Sequence, residues 1–294
     1  MILCGTALRP PAVFGPGELV RLAEATGCAG IAVGPDCPLA LVSSLASAAL
    51  AAGLALPLLS APLVEAPLGP GRRLPDLCAP EDREERRAAV SLCARVVDAA
   101  ADLGARTVSV ELGAVRLATA ESDVQHAFAR GELDQGEPGA PKLRAAIEER
   151  RALSRALLDG SRFSLEALLA HAERRGITLA VVAGGTPWVM PSLREVLDLC
   201  ADFRGGPLAT ALHTARLGVQ VALGLAMSEP RRAEVAGLAR AIWLGQAVGL
   251  DAPYLPGQGD SDLDAAVAGA PTDVPRALTG RADSTDREVA AAVF

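Results

Sequence analysis

The chain has 294 residues, with 28 Lys and Arg against 35 Asp and Glu and a net charge of −7. An acidic chain without clustered cations cannot neutralise a run of phosphates, which argues against nucleic acid as a partner. Half of the residues are hydrophobic but only 3% are aromatic, so a core must be assembled from Ala, Leu and Val.

Basic charge is almost all Arg, Lys142 being the only Lys, and the six Cys (4, 28, 37, 78, 93 and 200) show no C-x-x-C spacing. No basic segment precedes the apolar Met1–Leu8, so the expectation is a cytoplasmic protein with reduced thiols.

Met1–Leu8 predicts a first strand, Gly17–Thr26 a helix and Ile31–Gly34 a second strand. Pro38–Val64 carries no charge and is long enough to span a bilayer. Gly53 and Pro57 split it, however, and Ser43, Ser44 and Ser47 dilute it. A buried helix (38–52) and a third strand (54–60) account for the same residues, so no membrane span is expected. The Pro- and Gly-rich loop Ala61–Pro80, with Arg72 and Arg73, follows. Glu81–Leu103 predicts a helix with acidic first turns and an apolar stripe of Val90, Cys93, Val97 and Ala100. Gly104 ends it, and Thr107–Leu112 reads as the fourth strand.

Residues 118–139 form an acidic, partly helical insertion, and Leu143–Arg175 continues as one or two helices. Leu153, Leu157, Leu158, Leu165, Leu168 and Leu169 are expected on its inner side. Ile177–Ala183, Pro191–Phe203 and Leu208–Leu212 then read as strand, helix, strand. Such a unit implies parallel strands in a buried sheet, with functional groups where the strands end. Ala215–Leu225 and Arg231–Leu238 predict helices, Ala241–Gly245 a seventh strand, Arg276–Gly280 an eighth and Thr285–Val293 a closing helix. Eight alternations without a linker or repeat predict one α/β domain over 1–294, a single (β/α)8 TIM barrel.

The central stretch from Ile177 to Arg216, the D-L-G-A before the fourth strand and the P-G-x-G at Pro256–Gly259 resemble the xylose-isomerase-like TIM barrels, the sugar-phosphate isomerase/epimerase group. That resemblance implies divalent metal held by His, Asp and Glu at strand ends. The Glu of the fifth strand falls on Val182 and the Asp of the sixth on Thr210; His213 is retained. The H-x-H-D of the seventh strand reads Trp243-Leu244-Gly245-Gln246, the following D-H pair is Ala252-Pro253, and the Glu of the last strand falls on Thr279. Glu111 stands where the fourth strand commonly ends in His. Asp251 and Asp260 are the other carboxylates within reach. With three His in the chain, neither a metal centre nor a cofactor is expected, because a metal site needs about three or more converging ligands.

Glu111 and His213 are the candidate catalytic pair. His213 reads equally as a base or substrate partner and as a remnant bonded to backbone; Glu111 reads as a base or as an ion pair with an Arg such as Arg116. Thr210, Trp188, Trp243 and Gln246 are candidate substrate-binding residues, although the two Trp read more simply as filling an emptied metal site. Gly257 and Gly259 could offer N–H groups to an anion. His126 and His171 lie among charged residues and are expected to be solvated, and Cys4 and Cys37 have no partner that would activate a thiolate. Three functions follow: an auxiliary pseudoenzyme barrel that binds a small molecule or a protein partner, a metal-independent isomerase or epimerase using Glu111 and His213, and a structural subunit. The oligomeric state is not legible.

Overall fold

The computed structural model describes residues 1–35, 37–63, 75–79, 81–134, 137–281 and 284–293. Eight parallel strands close into a barrel: β1 (Ile2–Gly5), β2 (Gly30–Val33), β3 (Ala55–Ala61), β4 (Thr107–Val110), β5 (Thr178–Val182), β6 (Leu208–His213), β7 (Ala239–Leu244) and β8 (Arg276–Leu278). Each strand pairs with its neighbours in sequence, and β8 pairs with β1 to close the ring. This is the predicted (β/α)8 barrel.

Closure depends on Gly5. A Cβ there would lie 2.2 Å from the Leu278 carbonyl oxygen, so only glycine lets β1 approach β8 this closely. The first strand accordingly stops at Gly5, where the sequence predicts it to run to Leu8; Thr6–Leu8 turn as a 3-10 helix instead. The Thr6 hydroxyl accepts a bond from the Gly34 N–H at 2.7 Å, which ties the top of β1 to β2.

The outer helices include α1 (Pro16–Ala25), α2 (Leu39–Ala51), α3 (Arg83–Asp102), α4 (Glu121–Ala129), α5 (Ala140–Arg175), α6 (Leu193–Asp202), α7 (Thr214–Ala222) and α8 (Glu229–Gly237). Local chemistry starts and stops them. Asp82 caps α3 by accepting from the Glu85 N–H at 2.8 Å, while Glu84 and Glu85 favour the positive end of the helix dipole. Ser192 and Glu195 form a capping box at α6. α5 is one helix of 36 residues, with no break, and ends on Gly176 in the left-handed conformation. Leu157, Leu158, Leu165, Leu168 and Leu169 are buried on it as expected, but Leu153 is exposed and lines an open groove with Cys78 and Arg116. Two antiparallel pairs unmarked in the sequence lie in the upper loops: Gly113–Ala114 with Val189–Met190, and Gln246–Val248 with Asp251–Tyr254.

The loop predicted at Ala61–Pro80 falls largely outside the described residues, Arg72 and Arg73 included. Among the described residues no helix is long and apolar enough to cross a membrane; the uncharged stretch from Pro38 forms α2 and β3.

Candidate functional site

The barrel interior is lined by small residues with four larger ones among them. Ala32, Ala180, Ala211, Ala241 and Ala277 share one cluster with Leu3, Leu58, Val182 and Trp243. The low aromatic content shows its consequence here: a ring of alanines leaves space on the axis, and the single indole of Trp243 fills it. Trp243 is 6% exposed and pairs in register with His213 on β6. Its ring lies 3.8 Å from where a Cβ on Gly5 would stand. Val182 is buried beside it, and Thr279 is buried at the end of β8, its N–H bonded to the Leu244 carbonyl at 2.8 Å.

Two stretches, one after β4 and one at the β6–α7 junction, bring three side chains together. Glu111 follows β4 two residues after Ser109, in phase with the inward Ser60–Ser109 hydroxyl pair (2.8 Å). Its carboxylate Oε1 accepts from Nη2 of Arg216, which stands in the first turn of α7. The ion-pair reading of Glu111 is therefore the structure's, with Arg216 as the partner in place of Arg116. His213 caps α7, three residues before Arg216. Its Nδ1 is buried without a hydrogen-bond partner among the described residues, and so is Nη1 of Arg216. Burial first, and the positive charge of Arg216 second, push the His213 imidazole down to about 3, so it is neutral at pH 7. The mouth thus holds a carboxylate, a guanidinium and a neutral imidazole, with two nitrogens unspent. Arg216 was missed in the sequence; its only signal was its place one helical turn after a strand-end His.

The other predicted residues lie elsewhere. Thr210 faces outward: its hydroxyl donates to the Val235 carbonyl of α8 at 2.9 Å, and alternation in register with β5, Thr210 opposite Val181 and Ala211 opposite Val182, leaves Ala211 pointing inward. Trp188 packs off the axis with Val124, Leu143, Val219 and Leu223, and its indole N–H donates to the Thr119 carbonyl at 2.9 Å. Gln246, Gly257 and Gly259 do come together, but with one another. The Gln246 side-chain oxygen accepts from the Gly257 and Gly259 N–H groups at 2.6 and 3.1 Å, and its amide donates to the Ser261 carbonyl at 2.6 Å. That carboxamide occupies the nest the sequence offers to an anion.

Asp260 is exposed, and the side chain of Asp251 lies outside the described residues. His126 is exposed, whereas His171 bonds to Asp98 at 2.9 Å and is not simply solvated. Cys4 and Cys37 are buried; the neighbouring Cys28 thiol raises Cys4 well above the ordinary thiol range.

The residues present do not fit the metal that the fold resemblance implies. Among the described residues no three His, Cys, Asp or Glu side chains converge as a metal site would require. The strand-end positions hold Glu111, Val182, Thr210, Trp243 and Thr279, a single carboxylate, and that one is engaged by Arg216.

No sequence family matches the chain, and no curated protein matches it. Solved structures do. D-allulose 3-epimerase from Methylomonas sp. superposes with a TM-score of 0.69 at 12% identity, over 99% of this chain and 95% of that one. 3-Keto-D-glucoside 4-epimerase from E. coli gives 0.66 at 12% identity, over 99% and 97%. A xylose isomerase domain protein from Planctomyces limnophilus gives 0.61 at 13%, over 100% and 94%. The class is therefore defined by the fold: a xylose-isomerase-like (β/α)8 barrel.

Proposed function

We propose that this chain is a metal-independent, ligand-binding barrel on the sugar-epimerase scaffold, an auxiliary protein whose mouth holds a small oxygen-rich molecule. The observation that carries the reading is the pair of buried, unpaired nitrogens, His213 Nδ1 and Arg216 Nη1, on neighbouring turns at the mouth. Buried polar groups are paired as a rule, so such orphans mark where a ligand completes the network, and Arg216 lines a cavity with Gly185, Thr186 and Trp188. A keto sugar or sugar acid supplies the acceptor oxygens that Arg216 lacks.

A second reading has one observation in its favour. A neutral imidazole can polarise a carbonyl oxygen while a carboxylate moves a proton at the adjacent carbon, and His213 and Glu111 both face Arg216. In that case Glu111 must release Arg216 when substrate enters.

The test uses D-allulose and D-gluconate as probes. Calorimetric binding by the wild type, lost in Arg216→Gln, with no epimer formed in the presence or absence of added Mn²⁺ or Co²⁺, supports the binding role. Turnover that Glu111→Gln lowers by about 10²–10⁴-fold would overturn it in favour of proton-transfer catalysis.

A further inference from the structure

Beside the mouth, on the flank of the loop that follows β5, lies a second cleft of about 220 Å³. It opens between α5, the Gly184–Val189 turn and the segment after α7. Ile147, Pro187, Val189, Leu193, Leu225 and Met227 give it apolar walls. Arg150 and Arg194 are its charged residues, and among the described residues no Asp or Glu lines it.

Arg150 on one wall is already neutralised by Glu195. Arg194 is not: it is exposed in the first turn of α6 and makes no ion pair among the described residues. The backbone N–H groups of Gly185, which is buried, and Thr186 have no acceptor among the described residues. The turn is held in place at its start, since the Gly184 N–H donates to the Pro191 carbonyl at 2.7 Å and the Gln220 amide donates to the Gly184 carbonyl. Two N–H groups without an acceptor and a guanidinium without an ion pair among the described residues therefore line one apolar trough. In a chain of net charge −7 the lining carries two cations and no carboxylate; Arg216 packs against Gly185 from the adjoining cavity, and the Thr186 hydroxyl donates to Glu121 at 3.2 Å.

We propose that this cleft binds a short aliphatic carboxylate of about six to eight carbons. The carboxylate lies against Arg194 and the Gly185 and Thr186 N–H groups, where a guanidinium and paired N–H donors match its two oxygens. The chain runs along Ile147, Val189, Leu225 and Met227. Size sets the length: an apolar cavity of about 150 Å³ accommodates a benzene, so 220 Å³ takes a tail of this length and not a long-chain lipid.

Hexanoate is the probe, with 1-hexanol as the uncharged control, both titrated calorimetrically into the full chain. Hexanoate should bind at least about tenfold more tightly than hexanol, and Arg194→Gln should weaken it by at least about tenfold. Met227→Trp, which fills the trough, should remove binding of both, while Glu111→Gln should leave hexanoate binding unchanged. No hexanoate binding up to about 10 mM, equal affinity for hexanol, or insensitivity to Arg194→Gln would each overturn the proposal. Loss of hexanoate binding in Glu111→Gln would overturn its location.

Discussion

Two Arg–Glu pairs stand near the top of the barrel and do opposite work. Arg150 and Glu195 are 10% and 8% exposed, and every oxygen of the carboxylate is used: Arg150 at 2.5 Å and the Ser192 N–H at 2.8 Å on Oε2, the Ser154 hydroxyl at 2.6 Å on Oε1. Arg216 and Glu111 are 26% and 36% exposed, and the guanidinium keeps one nitrogen buried and unpaired, as does His213 beside it. The first network is complete and joins α5 to the cap of α6. The second is incomplete and joins the end of β4 to the start of α7. A saturated buried pair holds the structure, whereas an unsaturated one leaves donors free for the ligand proposed above.

The largest effect separating the two is on stability. Glu195→Ala strands Arg150 in the interior and should cost about 3–5 kcal/mol in a urea melt, whereas Glu111→Ala, at a half-open site, should cost no more than about 1 kcal/mol. Equal losses would erase the distinction between the pairs. Trp243→Ala tests the residue paired in register with His213. It empties the barrel axis and should cost about 3–5 kcal/mol, with ligand binding at the mouth lost as well.

Acid sharpens the contrast further. His213 is held at about 3 in the folded chain and titrates near its ordinary value once unfolded. The unfolded state therefore binds the extra proton first, and stability falls as pH drops from about 6.5 toward 3, by at most about 1.4 kcal/mol per pH unit for this one group. Urea melts of the wild type and His213→Asn should show that slope as their difference, and Arg216→Gln should raise the His213 midpoint in an NMR titration because a repelling charge is gone. The smallest expected effect is none at all: EDTA should leave the melting temperature unchanged, since a tightly held ion would stabilise the native state by mass action. A drop of several degrees would point to a metal site that the donor set at the mouth does not explain.

Much of this was written locally. The order of strands and helices follows from apolar runs, glycine stops and the helical stripes of α3 and α5. The Ser192–Glu195 box, three residues apart, is likewise a short-range signal. The positions where the family resemblance implies metal ligands, Val182 and Trp243 among them, could be read off strand ends because the barrel places every such end at one mouth.

Tertiary structure decided what period and spacing leave open. Leu208–Leu212 has no polar–apolar alternation to reveal its phase, so pairing with β5, Thr210 opposite Val181 and Ala211 opposite Val182, decided that Thr210 faces outward and Ala211 inward. Glu111 found Arg216, 105 residues away, and not Arg116, because barrel closure brings the ends of β4 and β6 to one rim. The Gly257–Gly259 turn was filled by the Gln246 carboxamide once the chain doubled back after β7. Which donors remain free is a property of that assembled network, and it is there that the chemistry of this protein is set.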